Sequence, residues 1–133
     1  MKVDGQCHCG QIRYEAEIDP ANVSVCHCTD CQILTGTAYR VSAPASAASL
    51  VFRAGAPKIY IKTAESGNKR AQGFCSNCGT PIYSADAQNP QSYFLRVGTM
   101  SQRAALPPQR QIWCRSALAW ASDIRGLEPS ERA

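Results

Sequence analysis

The clearest pattern in the chain is an alternation of apolar and polar positions, not a helical stripe. Over residues 11–18, Ile12, Tyr14, Ala16 and Ile18 fall on one side of an extended backbone, and Arg13, Glu15 and Glu17 on the other. Side chains two apart share a face in a strand, so this segment is predicted to be a half-buried strand. A turn at Asp19-Pro20-Ala21-Asn22 follows. Residues 23–28 alternate again, with Val23, Val25 and His27 opposite Ser24, Cys26 and Cys28. Further short strands are predicted at 38–43 (closed by Pro44), 50–52, 58–61, 69–74, 80–84, 92–97 and 110–114. The single helical signal is a short turn capped by Thr29 or Asp30, running through Leu34 and ended by Gly36. Residues 1–5 read as a leader, 45–49 as weakly patterned, and the tail beyond Arg125 as frayed. Many short strands with frequent turns predict a mainly β fold of antiparallel sheets with little helix. A chain of 133 residues predicts one domain, its core spanning about residues 4–125.

Charge adds little to this picture until the cysteines are counted. The formal charge of +4 treats all eight cysteines as neutral. With seven bound as thiolates to two divalent ions, it falls to +1. Lys69-Arg70 is the only adjacent basic pair, so no concentrated basic face for nucleic acid is predicted. No apolar run reaches the length of a membrane span, and the first residues show no apolar signal core. A reducing, cytoplasmic setting is the expectation, in which CxxC spacing favours metal over structural disulfides.

Seven of the eight cysteines sit in three clusters: Cys7-His8-Cys9, Cys26-His27-Cys28-Thr29-Asp30-Cys31 and Cys75-Ser76-Asn77-Cys78. On an extended chain a CxC pair offers both sulfurs to one ion and turns the middle residue away, so His8 and His27 are not expected as ligands. Gly10 and Gly79 each follow the second cysteine of their cluster and permit the left-handed turn that closes a metal knuckle. These two clusters therefore pair as Cys7, Cys9, Cys75 and Cys78, a closed zinc site. A structural zinc of this kind contributes on the order of 10 kcal/mol. Cys26, Cys28 and Cys31 remain as a second zinc site one protein ligand short. Cys114 is expected as a small buried hydrophobe on a strand. Zinc with an open corner can take up an external thiol and favour its thiolate form. Three thiolates plus Zn²⁺ carry a net −1, which argues for thiolate chemistry rather than a zinc-hydroxide hydrolase.

The motifs Gly5-Gln6-Cys7-His8-Cys9-Gly10, Ile12-Arg13-Tyr14-Glu15, Cys26-His27-Cys28-Thr29-Asp30-Cys31 with Gly36, and Phe74-Cys75-Ser76-Asn77-Cys78-Gly79-Thr80-Pro81 resemble the glutathione-dependent formaldehyde-activating enzyme family. That family also includes centromere protein V-like domains, and the likeness continues through Val97-Gly98-Thr99 and Pro108 to Trp120. The resemblance implies an Mss4-like fold, a structural zinc at Cys7, Cys9, Cys75 and Cys78, and a second at Cys26, Cys28 and Cys31. It implies a carbon–sulfur lyase activity in which glutathione adds to formaldehyde to give S-hydroxymethylglutathione. One departure is Gln111, at a position where related sequences often carry histidine. Glutathione carries two carboxylates, so Arg40, Arg96, Arg110 and Arg115 are candidate contacts, although each is expected at the solvated surface. Trp113 and Trp120 are expected as core or pocket-wall aromatics. The alternative from a different class is a non-catalytic, zinc-stabilised binding module, whose second ion would have a fourth protein ligand. A methionine-sulfoxide-reductase relative is the third reading, with Cys114 as its sole candidate free cysteine.

Overall fold

A computed structural model describes residues 1–133. In chain order the strands are β1 (Lys2–Gln6), β2 (Arg13–Glu17), β3 (Ser24–Cys26), β4 (Arg40–Ser46), β5 (Val51–Ala54), β6 (Lys58–Thr63), β7 (Lys69–Phe74), β8 (Pro81–Asp86), β9 (Ser92–Arg96) and β10 (Arg110–Ile112). One helix, α1 (Thr29–Thr35), interrupts them. A three-stranded sheet has the order β1-β2-β5, and a seven-stranded sheet the order β10-β3-β4-β9-β8-β7-β6. Only the β10–β3 pair is parallel. The fold is mainly β, as the alternation predicts.

The faces of the larger sheet are unlike each other. On one face Ala43, Ala45, Tyr83, Ala85 and Leu95 pack against Val3, Tyr14 and Ala16 of the smaller sheet in a common apolar core. Strand alternation then forces the neighbours of these residues to the other face. There the register aligns Cys26 with Arg40, Ser42 with Arg96, Phe94 with Ser84, and Ser84 with Gln72. All of these line one cavity. The apolar face builds the fold and the polar face builds the site, so the same period-two pattern specifies both.

The alternation of residues 11–18 is realised in full: Ile12, Tyr14, Ala16 and Ile18 are all buried. Six local expectations are corrected. Residues 1–5 are no leader, because Lys2–Gln6 pairs with β2 along its length, Val3 opposite Ala16. Pro44 does not close β4, which continues to Ser46. The Pro44 carbonyl accepts from the Asp19 N–H, so the side lacking a donor faces away from β9, where β3 has already ended. The cap of α1 is Cys28, not Thr29 or Asp30, while Gly36 ends the helix in the left-handed region with φ of 67°. The last strand stops at Ile112 because Trp113 adopts φ 58° and ψ 38°, turning the chain into a 3₁₀ turn. Cys114 is therefore exposed in that turn and is no buried strand residue. Trp120 is 67% exposed and belongs to no core.

Candidate metal centre

The structure gathers the cysteines into the two groups the spacing predicts. Cys7 and Cys9 leave the end of β1, and Cys75 and Cys78 occupy the turn between β7 and β8. The two turns are alike. The Gly10 N–H donates to the Cys7 carbonyl at 3.0 Å and the Gly79 N–H to the Cys75 carbonyl at 2.8 Å. Both glycines take positive φ, 78° and 76°, a conformation a side chain would strain. The Ile12 N–H donates to Cys7 Sγ at 3.2 Å. All four sulfurs lie within 4.8 Å of one another. Cys7 Sγ is 3.5 Å from Cys9 Sγ, which is 3.7 Å from Cys75 Sγ. Four thiolates at tetrahedral corners about 2.3 Å from zinc stand about 3.8 Å apart, so the donor set fits the ion. A disulfide requires about 2.05 Å, and every cysteine is free. The Thr80 hydroxyl and then the Thr80 N–H hold the Cys78 thiol down to about 5.

Cys26, Cys28 and Cys31 form the second group, their sulfurs within 4.8 Å of one another. Cys26 ends β3, Cys28 caps α1, and Cys31 lies in its first turn, donating its N–H to Cys28 Sγ at 3.3 Å. A hydrogen bond from Cys31 holds the Cys26 thiol below its usual range. The same bond, then burial, raises Cys31. Burial raises Cys28. No histidine or carboxylate joins these three sulfurs. His27 is buried and turned away, donating Nε2–H to Gln111 Oε1 at 2.8 Å and packing edge-to-face on Tyr39. Asp30 is engaged by Lys62 Nζ at 2.6 Å. The protein thus supplies three ligands here and four at the other group.

The three sulfurs open onto a cavity of about 530 Å³ on the polar face of the larger sheet. Trp113 forms part of its wall, held in place by the guanidinium of Arg115 over its ring at 5.0 Å. The left-handed backbone at Trp113 is a strained conformation for a bulky residue, and it turns the ring to this wall. Of the four candidate arginines, Arg110 and Arg115 are exposed as expected, Arg115 paired with Glu65 at 2.7 Å. Arg40 and Arg96 are not at the surface; they are 4% and 7% exposed on the cavity floor. Arg40 Nη1 and Arg96 Nη2 both donate to Gln72 Oε1, at 3.1 and 3.0 Å, and Arg96 Nη1 donates to Ser42 Oγ at 2.7 Å. Desolvation lowers the pKa of both guanidiniums. Gln72 and Ser42 carry no signal in the sequence, since their roles come from strand register. The position of Arg40 two residues before Ser42 on one strand face is the only hint.

The chain is similar to known proteins over most of its length. Residues 2–116 match the family model described as glutathione-dependent formaldehyde-activating enzyme. A Halomonas elongata protein, provisionally named a glutathione-dependent formaldehyde-activating enzyme, is 27% identical over 83% of this chain and 73% of its own length. An uncharacterised lyase of Schizosaccharomyces pombe is 30% identical over 71% of this chain and 65% of its own length. The crystal structure of a Rhodobacter sphaeroides protein superposes with a TM-score of 0.62 at 22% identity, covering 81% of this chain and 98% of the other. That likeness supports the fold.

Proposed function

We propose, for a chain that belongs to the glutathione-dependent formaldehyde-activating enzyme family, that it is a zinc-dependent carbon–sulfur lyase-type enzyme joining a thiol, glutathione, to an aldehyde. The whole chain acts as one zinc-binding domain. Cys7, Cys9, Cys75 and Cys78 hold a structural zinc that ties β1 to the β7–β8 turn. Cys26, Cys28 and Cys31 hold a second zinc whose fourth position faces the cavity.

The observation that carries this reading is the unequal supply of sulfur. Three ligands meet at a cavity, and both side chains that could have completed the set, His27 and Asp30, are committed elsewhere. This disfavours the binding-module alternative, which requires a fourth protein ligand. When bound there, zinc supplies a site that stabilises the thiolate of an incoming thiol. The protein does the rest. The cavity holds the aldehyde beside the sulfur, and the wall formed by Trp113 limits water. The cationic rim, including Arg110, suits the carboxylates of glutathione. Addition forms one C–S bond, opens the carbonyl π bond onto oxygen, and takes a proton from water; the thiol proton has left to solvent.

The experiment is exchange NMR of glutathione with formaldehyde, with and without zinc-loaded protein. Exchange faster than the uncatalysed rate supports the proposal. Exchange at the uncatalysed rate removes formaldehyde as a substrate.

A further inference from the structure

The floor of the cavity holds two buried cations that a neutral aldehyde does not need. We infer that Arg40 and Arg96 form a carboxylate subsite, and that the aldehyde partner carries a carboxylate beside its carbonyl. This rests on the thiol–aldehyde reading above and narrows its second substrate.

Four observations carry it. First, both guanidiniums are more than nine-tenths buried, yet no carboxylate lies within 4.0 Å of either. Isolated buried charge is costly unless it is paired. Second, their donors are under-used. Nε of each has no partner, Arg40 uses only Nη1, and both converge on one neutral amide oxygen of Gln72. A planar anion with two oxygens suits such a surplus of donors.

Third, the other cavity cations are already engaged. Arg70 and Lys62 line the cavity but are paired with Asp86 and Asp30, and Arg110 lies exposed at the rim, where it suits the carboxylates of the thiol. Arg40 and Arg96 are the buried cations of the cavity with no carboxylate assigned to them. Fourth, depth separates the two substrates. Arg40 lies directly opposite Cys26 in the β3–β4 register, so its place is the floor beside the sulfur cluster. The carboxylates of a tripeptide thiol are several bonds from its sulfur and reach toward the rim at Arg110. A group bonded directly to the carbon under attack stays at the floor.

The reaction balances without an oxidant. The thiolate sulfur bonds to the aldehyde carbon, the carbonyl π pair moves to oxygen, and that oxygen takes a proton from water. The carboxylate is unchanged and stays on the arginines.

The test uses zinc-loaded protein. Calorimetric titration with glycolate, which keeps the carboxylate but has no aldehyde, reads binding without turnover. Saturable binding is expected, weakened about tenfold or more in Arg96→Gln, while ethylene glycol does not bind. Arg96→Gln can fail to fold, so Gln72→Glu is the second variant. It places a fixed carboxylate where both guanidiniums converge, and it is expected to raise the melting temperature and to lose glycolate. In ¹³C exchange NMR with glutathione, kcat/KM for glyoxylate is expected to exceed that for formaldehyde by about tenfold. That preference persists when 2-mercaptoethanol replaces glutathione. Glycolate binding that survives Gln72→Glu overturns the subsite. An arginine dependence that disappears with 2-mercaptoethanol assigns the subsite to the thiol and overturns the aldehyde assignment. Accelerated formaldehyde exchange with no preference for glyoxylate overturns this inference alone. If neither aldehyde is accelerated while glycolate still binds through the arginines, the thiol–aldehyde reading and the substrate class fall, and the carboxylate subsite stands.

Discussion

Cys26, the last residue of β3, stands directly across the ladder from Arg40, the first residue of β4. This pairing puts a sulfur ligand and a buried guanidinium on the same face of one sheet. A zinc held by three thiolates would carry one negative charge, and this guanidinium would face it at a depth where water screens little. Arg40 also bounds the sulfur group on the sheet side.

The two cysteine groups respond differently to loss of a ligand. Cys75 is buried and its group ties the ends of β1, β7 and β8 together. A closed site of this type contributes about as much as the whole folding free energy of a small domain. Cys75→Ser is expected to abolish cooperative unfolding and soluble expression. Cys28→Ser is expected to leave the circular dichroism spectrum intact and lower zinc from about two ions per chain to about one. Elemental analysis with circular dichroism checks both, and a folded Cys75→Ser protein would contradict the assignment.

Acidification separates the groups in a defined order. Metal requires thiolates, so protons compete with it as pH falls. In the three-sulfur group, burial raises Cys28, and the bond to Cys26 followed by burial raises Cys31. In the four-sulfur group, Cys75 is pushed up to about 11 while the Thr80 contacts hold Cys78 down to about 5. Each group thus holds thiols that regain protons early, and the number of protein ligands sets the order. Zinc is expected to leave Cys26, Cys28 and Cys31, which supply three ligands, at a higher pH than it leaves the four-ligand group. A colorimetric chelator should record two release steps, with the fold lost only in the second. A single step accompanied by unfolding would argue that the groups are one unit.

Gly5 reports on packing within the smaller sheet, where it stands opposite Tyr14 in the β1–β2 ladder. A Cβ at this position would meet the Tyr14 ring at 2.3 Å. Tyr14 is 1% exposed and its hydroxyl is hydrogen-bonded to Thr99 Oγ1 at 2.7 Å, so the ring has little room to retreat. Gly5→Ala is expected to cost about 1–3 kcal/mol in urea unfolding. A cost below about 0.5 kcal/mol would mean that the ring relocates freely.

The sulfur arrangement and the β1–β2 side of the core could be read from the chain because their signals are local. Cysteine spacing, the glycines at 10 and 79, and the alternation at Ile12 to Ile18 need no knowledge of strand order. Gly36 likewise ends α1 by its own conformational freedom. What sequence could not show depends on which strands become neighbours. Arg40, Ser42, Gln72 and Arg96 come from three strands, and only the β4–β9–β8–β7 order brings them to one floor. Arginine is a surface residue by composition statistics, so a solvated role is the default until the register is known. The strand assigned to Lys2–Gln6 was hidden for the opposite reason. Its pattern carries only Val3 as a bulky apolar residue, and pairing with β2 supplies the rest.

The unequal supply of sulfur is tested most directly by zinc K-edge X-ray absorption on the doubly loaded protein, before and after adding glutathione. One ion with four sulfurs and one with three give an average of about 3.5 sulfur ligands per zinc, with oxygen completing the shell. Saturating glutathione should raise this to about 4 and remove the oxygen component. A sulfur count already at 4, or one that stays at about 3.5 when glutathione is added, would contradict the account.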